Sequence, residues 1–140
     1  MGSKAPIAPV KRLVSGGSDS TVKIWKYDDQ SHKWIQDGPT LTAHSDWVRD
    51  VAWAPSLGLP MNTIASAGQD GRLIAWTEKD DGAGGAGGWE AVVIHEFGPQ
   101  SPIWRVSWST GGNVLAATDG SGAVTLWTEA SDGQWQQVSA

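Results

Sequence analysis

The sequence predicts an all-β protein, organised as part of a β-propeller, and three observations carry that reading. A strand–turn–strand segment recurs three times and ends each time in tryptophan, at Trp25, Trp76 and Trp127. The copies are evenly spaced at about 50 residues, within the range of propeller blades. Ten of the twelve aromatic residues are tryptophan, with a single tyrosine and a single phenylalanine, and 18 residues are glycine. Many short aromatic strands punctuated by glycine turns describe a sheet protein. No window sustains the three- and four-residue apolar spacing of a helix.

The first copy runs Leu13-Val14-Ser15-Gly16-Gly17-Ser18-Asp19-Ser20-Thr21-Val22-Lys23-Ile24-Trp25. It aligns with Ile64 to Trp76 and with Leu115 to Trp127. The turns at Gly17–Ser20, Gln69–Arg72 and Gly120–Ala123 are rich in Gly, Asp and Ser, which tolerate hairpin dihedrals. A further strand follows each copy, at Trp34-Ile35, at Trp89 to Val93 and at Trp135 to Val138. One more strand precedes the second and third copies, from Val48 to Trp53 and from Ile103 to Trp108. Four strands per unit is the blade plan of a propeller. The residues ahead of the first copy contain Pro6 and Pro9 and do not suit a central strand.

The expected organisation is therefore a flexible leader (1–10), a three-stranded partial blade (11–43), a complete blade (44–97) and a last blade (98–140). A glycine-rich loop at 80–88 reads as a surface insertion within the complete blade. It carries Asp80 and Asp81, which read as solvated acids, and no Lys-Ser/Thr follows it as in a phosphate loop.

Composition narrows the function classes. A net charge of -5 argues against direct nucleic-acid binding, which needs clustered Lys and Arg. The chain has no cysteine, so disulfides and thiolate metal sites are excluded. His32, His44 and His95 lie in separate segments and do not suggest a metal site; no cofactor motif is present. The absence of an apolar signal segment at the start fits a cytosolic or nuclear protein.

Three residues, His44, Ser66 and Asp70, have the identities of a hydrolase triad. Ser66 lies mid-strand in Ile64-Ala65-Ser66-Ala67, without the exposed Gly-x-Ser-x-Gly turn of a nucleophile. The structural alternative joins the Trp76 indole, the Ser66 hydroxyl, His44 and Asp70 in one hydrogen-bond chain that satisfies buried polar groups. The sister copies favour it by being incomplete. The first has Ser15, Asp19 and Trp25 but no matching histidine, and the third has Ala117, Ser121 and Pro99 at the Ser, Asp and His positions. The chain is expected to be non-enzymatic.

Val51 and Trp53 alternate with Asp50 and Ala52, and Val106 and Trp108 with Arg105 and Ser107. This period of two places one set in the core and directs Asp50, Arg105 and Ser107 toward a channel. Trp47 and Trp104, at the strand starts, join Asp50 and Arg105 as candidate partner contacts.

The stretch His44-Ser45-Asp46-Trp47-Val48-Arg49-Asp50-Val51-Ala52-Trp53-Ala54-Pro55, followed by Gly58-Leu59-Pro60, closely resembles the small WD-repeat subunit of the COPII outer coat. That subunit also belongs to the Y-shaped scaffold of the nuclear pore. Leu13 to Gly17, Ile103 to Ser109, Val124 to Trp127 and Asp132 to Trp135 share the resemblance, which runs from about Lys11 to Val138. It implies a WD-repeat propeller that acts as a scaffold. Family members are open six-bladed propellers to which a long subunit with a helical solenoid donates a further blade. Their roles are endoplasmic-reticulum-to-Golgi vesicle transport, nuclear pore assembly and nutrient signalling. The expected locations are the cytoplasmic side of the endoplasmic reticulum, COPII vesicles and the nuclear envelope, with membrane association only through the coat. The resemblance covers about the C-terminal half of such a subunit, so a fragment, or self-association of a half-propeller, is expected. A generic WD-repeat adaptor that binds peptides at the channel mouth is the alternative, and a serine hydrolase using Ser66, His44 and Asp70 the remote one.

Overall fold

A computed structural model describes residues 12–55, 62–78 and 89–138. The leader, most of the glycine loop at 80–88 and the Gly58-Leu59-Pro60 motif lie outside the described residues. Twelve strands and no helix form among those described, in three antiparallel sheets. The first sheet holds β1 (Arg12–Gly16), β2 (Thr21–Asp28) and β3 (Lys33–Gln36) in that order. A two-residue strand, β4 (Leu41–Thr42), pairs with the start of β2 and continues the outer edge begun by β3. The second sheet holds β5 (Val48–Trp53), β6 (Thr63–Gly68), β7 (Arg72–Glu78) and β8 (Trp89–Glu96) in sequence order. The third repeats that order with β9 (Ile103–Trp108), β10 (Leu115–Asp119), β11 (Val124–Glu129) and β12 (Trp135–Val138).

The repeat is visible in the register. Leu13 faces Trp25, Ile64 faces Trp76 and Leu115 faces Trp127, one equivalent pair in each central hairpin. The turn position before the second strand is left-handed in all three copies, with φ 72° at Ser20, 79° at Gly71 and 90° at Gly122. Glycine suits that conformation because it has no Cβ to collide with the backbone.

Two layers of core hold the sheets together. Ile64, Ile74 and Trp76 of the middle sheet pack against Val22, Ile24 and Leu41 of the first. On its other face Ala65, Ala67, Leu73 and Ala75 meet Ile103, Val106, Leu115, Ala117 and Trp127 of the third. Both faces of the middle sheet are therefore buried, which explains the unbroken apolar runs in β6 and β7. Each fully buried Ile or Leu contributes roughly 1.5–3 kcal/mol of transfer free energy.

The inner strands are also joined by directed bonds. The Val106 amide donates to Asp50 Oδ2 at 3.0 Å, and the Trp108 indole donates to the Ala52 carbonyl at 3.0 Å. Between the first two sheets, Arg12 donates to both Glu78 oxygens at 3.1 and 2.7 Å and forms an ion pair with Asp37 at 3.1 Å. Its guanidinium lies 5.2 Å from the Trp53 ring and 5.7 Å from that of Trp89. This cluster crosses a boundary that the sequence pattern does not reveal.

Candidate functional site

Strands β6 and β7 and the turn between them bring the Trp76, Ser66, His44 and Asp70 side chains into one chain. Ser66 accepts from the Trp76 indole at 2.9 Å, and its Oγ lies 2.7 Å from His44 Nε2. His44 Nδ1 lies 3.1 and 3.2 Å from the two Asp70 oxygens. Asp70 also accepts from the backbone amides of Ser45 at 2.9 Å and Arg72 at 3.0 Å. His44, Ser66 and Asp70 are all buried, and Ser66 is wholly so.

Electrostatics fixes the direction of the chain. Burial holds the His44 imidazole below its ordinary pKa; Asp70 opposes this and nearby Arg72 adds to it. A neutral ring then donates from Nδ1 to Asp70 and accepts the Ser66 hydroxyl proton at Nε2. Burial by itself would raise the Asp70 pKa, but the Ser45 and Arg72 amides and His44 outweigh it, and the carboxyl stays below its usual range. Every polar group in the chain has a partner. A Cβ on Gly68 would press on both His44 Nδ1 and Asp70 Oδ1, so the space beside them is filled.

The distances are those of a Ser–His–Asp relay, yet the serine cannot be reached. Catalysis requires that the nucleophile meet substrate beside an oxyanion-binding site. Ser66 lies inside a sheet covered on both faces, and its hydroxyl already engages an indole and an imidazole.

The sister sheets vary this arrangement. In the first, Trp25 donates to Ser15 Oγ at 2.9 Å, whereas Asp19 turns to the Thr21 hydroxyl and amide at 2.7 and 3.1 Å. A recess of about 270 Å³ lies there, lined by Ser15, Asp19, Thr21 and Trp25 among others. In the third, the Trp127 indole donates instead to Thr125 Oγ1 at 2.9 Å, two residues back on its own strand. His95, on the outer strand β8, stacks on the Trp127 ring at 5.2 Å.

The candidate contact residues gather around an open groove of about 520 Å³ where β5 meets β9. Asp50, Trp104, Arg105 and Ser107 line it, and so does Arg49. Trp47 does not line it but stands beside Arg49, whose guanidinium lies 5.6 Å from the Trp47 ring and 5.6 Å from that of Trp104. Arg49 is the residue that sequence reasoning missed. It sits in a β-bulge, where the pairing steps from Val48 to Asp50, and strict alternation gives no sign of that. The Asp50 carboxylate is engaged by the Val51 and Val106 amides, both at 3.0 Å.

Among the described residues no cluster of His, Asp or Glu could hold a metal ion, and no helix is long and apolar enough to cross a membrane.

Comparison with known proteins places this geometry. The family model for the WD domain, G-beta repeat, matches residues 8–26, 36–77 and 91–128. "Protein transport protein SEC13 homolog A" of Arabidopsis thaliana is 51% identical over 98% of this chain and 43% of its own length. "Protein SEC13 homolog" of Drosophila melanogaster is 49% identical over 94% of this chain and 35% of its own length. Its Homo sapiens namesake is 48% identical over 93% and 38%. The chain thus spans less than half the length of these relatives. With the repeated hairpin register, the three sheets and the family match, the chain belongs to the WD-repeat family and is SEC13-like within it.

Proposed function

We propose that this chain is a non-catalytic scaffold element in protein transport, working in the outer coat of COPII vesicles between endoplasmic reticulum and Golgi and in the outer ring of the nuclear pore. It would join a long subunit with a helical solenoid through an open sheet edge and a blade face. Its place would be the cytoplasmic side of the endoplasmic reticulum and the nuclear envelope, held to membrane only through the coat. The relatives named for protein transport support the first role.

One observation carries the binding mode. In the second and third sheets an inner strand, β5 or β9, pairs outside the central hairpin. In the first sheet β1 holds the position of β6 and β10, yet no described strand pairs with its other edge. Leu13 on β1 is 40% exposed, and the recess beside Ser15 adjoins it. Such an edge gains both backbone hydrogen bonds and apolar cover by accepting a strand.

Hydrogen exchange on the chain, with and without a purified helical-solenoid coat subunit, tests this. The expected result is a stoichiometric complex with new protection across β1 or across the outer face of the third sheet. Protection confined to the Asp50 and Arg105 surface would overturn it in favour of a peptide adaptor. The hydrolase reading makes a separate claim, that a serine-reactive phosphonate labels Ser66; the burial of Ser66 supports the opposite expectation.

A further inference from the structure

We infer that the groove between β5 and β9 is a docking site for a short acidic peptide, gripped by a tryptophan–arginine rim. This site is separate from the sheet edge and stands or falls independently of the scaffold reading.

The rim is built by two matched irregularities. Arg49 is skipped in the pairing of β5 with β6, and Trp104 is skipped in the pairing of β9 with β10. Each is the second residue of an inner strand. A bulge frees a residue from the ladder and re-aims its side chain, often next to a binding site. Here the two freed side chains meet, with the Arg49 guanidinium over the Trp104 ring and also over that of Trp47. Arg49 Nε is anchored to Gln69 Oε1 at 2.7 Å, which fixes the stack. Gly120 has no Cβ, and a Cβ there would come within 3.3 Å of the Trp104 indole, so the ring lies flat over the turn.

The rim is costly to leave bare. Trp47 is 52% exposed and Trp104 49% exposed. Clustered exposed indoles mark interaction surfaces, and Trp and Arg dominate binding hot spots.

The hydrogen-bond inventory selects the occupant. Neither indole N–H of the rim has a partner among the described residues, and Arg49 donates only through Nε. Arg105, also lining the groove, is exposed and has no ion pair or side-chain hydrogen bond there. The one carboxylate in the groove, that of Asp50, already receives the Val51 and Val106 amides. The unsatisfied charged groups are thus all cationic donors, in a chain whose net charge is -5. Such a rim fits a ligand rich in carboxylates with an apolar side chain to cover the indoles. The volume of about 520 Å³ suits a few residues of peptide. The acidic remainder of the chain repels an extended polyanion, so peptide is favoured over nucleic acid.

Fluorescence anisotropy on the purified chain tests the site. The probe is fluorescein-labelled Glu-Glu-Leu-Asp-Glu-Leu, with Lys-Lys-Leu-Lys-Lys-Leu and a ten-nucleotide oligouridylate as comparisons. Saturable binding of the acidic peptide alone is expected, weakened about tenfold or more by Arg105→Glu and by Trp104→Ala. Both residues are exposed, and circular dichroism of each variant checks that the fold is kept. The proposal is overturned by the absence of saturable binding at millimolar peptide. It is equally overturned by binding that both folded variants retain, or by oligouridylate binding as tightly as the peptide.

Discussion

Ser66 is the residue on which the buried chain turns, since it accepts from one neighbour and donates to the next. Ser66→Ala leaves the Trp76 indole N–H and His44 Nε2 without partners in the core. The expected loss is about 1–3 kcal/mol, read as a lower urea midpoint at unchanged slope. His44 adds a dependence on pH. Its folded pKa is depressed by burial, so below about pH 6.5 the unfolded chain binds a proton that the folded chain does not. Its stabilising contribution is complete above that pH and falls as the solution is acidified. Asp70, and Glu78 held low chiefly by its bond to Arg12, extend the loss through the carboxylate range. Urea titrations at about pH 8, 6 and 5 should show a falling midpoint, and His44→Gln should flatten the trend above the carboxylate range. An equal midpoint at all three values would contradict the assignment of a neutral His44. The residue identities of this chain could be read from the sequence because Trp, Ser, His and Asp recur at fixed offsets from one turn. The Thr125 partner of Trp127 could not, because it replaces a cross-strand serine with a hydroxyl on the same strand.

At the scale of the element, the hairpin turns make the most discriminating comparison. Gly71, Gly122 and Ser20 share one left-handed position, but their surroundings differ. A Cβ on Gly71 would overlap the Gly98 backbone, whereas nothing lies within 4 Å of one on Gly122. Gly122→Ala should therefore lose only the backbone preference, about 1 kcal/mol, and Gly71→Ala at least 2 kcal/mol more. Ser20→Gly should gain roughly 0.5–1 kcal/mol by relieving the strained serine. Thermal unfolding of the three variants, in one buffer, orders them. The strands were legible because their apolar residues alternate between turn signals: Val48 to Trp53 and Ile103 to Trp108 emerge with the ends read from pattern alone. The bulges at Arg49 and Trp104 were not. An extra residue leaves no mark in composition, and it is the cross-strand partner that reveals it. The two-residue β4 was likewise hidden, since Leu41 and Thr42 are too few to display a period.

At the scale of the whole molecule, the three sheets use their neighbours unequally. The middle sheet is buried on both faces, while the outer two each have one face packed and Leu13, Ile35 and Val124 remain well exposed. Repeat proteins draw much of their stability from such interfaces, and open edges invite pairing. Sedimentation of the isolated chain is therefore expected to show association that strengthens with concentration. A monodisperse, cooperatively unfolding monomer at all concentrations would refute that expectation. This level was legible only as architecture. The repeat announced blades, but how sheets abut depends on contacts such as Arg12 with Glu78 and Asp37, which join residues remote in sequence.

The bonds from Asp50 to the Val106 amide and from the Trp108 indole to Ala52 have a mechanical consequence. They pin the second and third sheets at their inner strands with directed, length-sensitive links. Farther out, the same two sheets meet through ring contacts such as His95 on Trp127, which tolerate sliding. The pair is therefore stiff at the axis and compliant at the rim, like the ribs of a fan fastened at the handle. A load on β8 or β12 would spread or close the ribs without tearing the fastening.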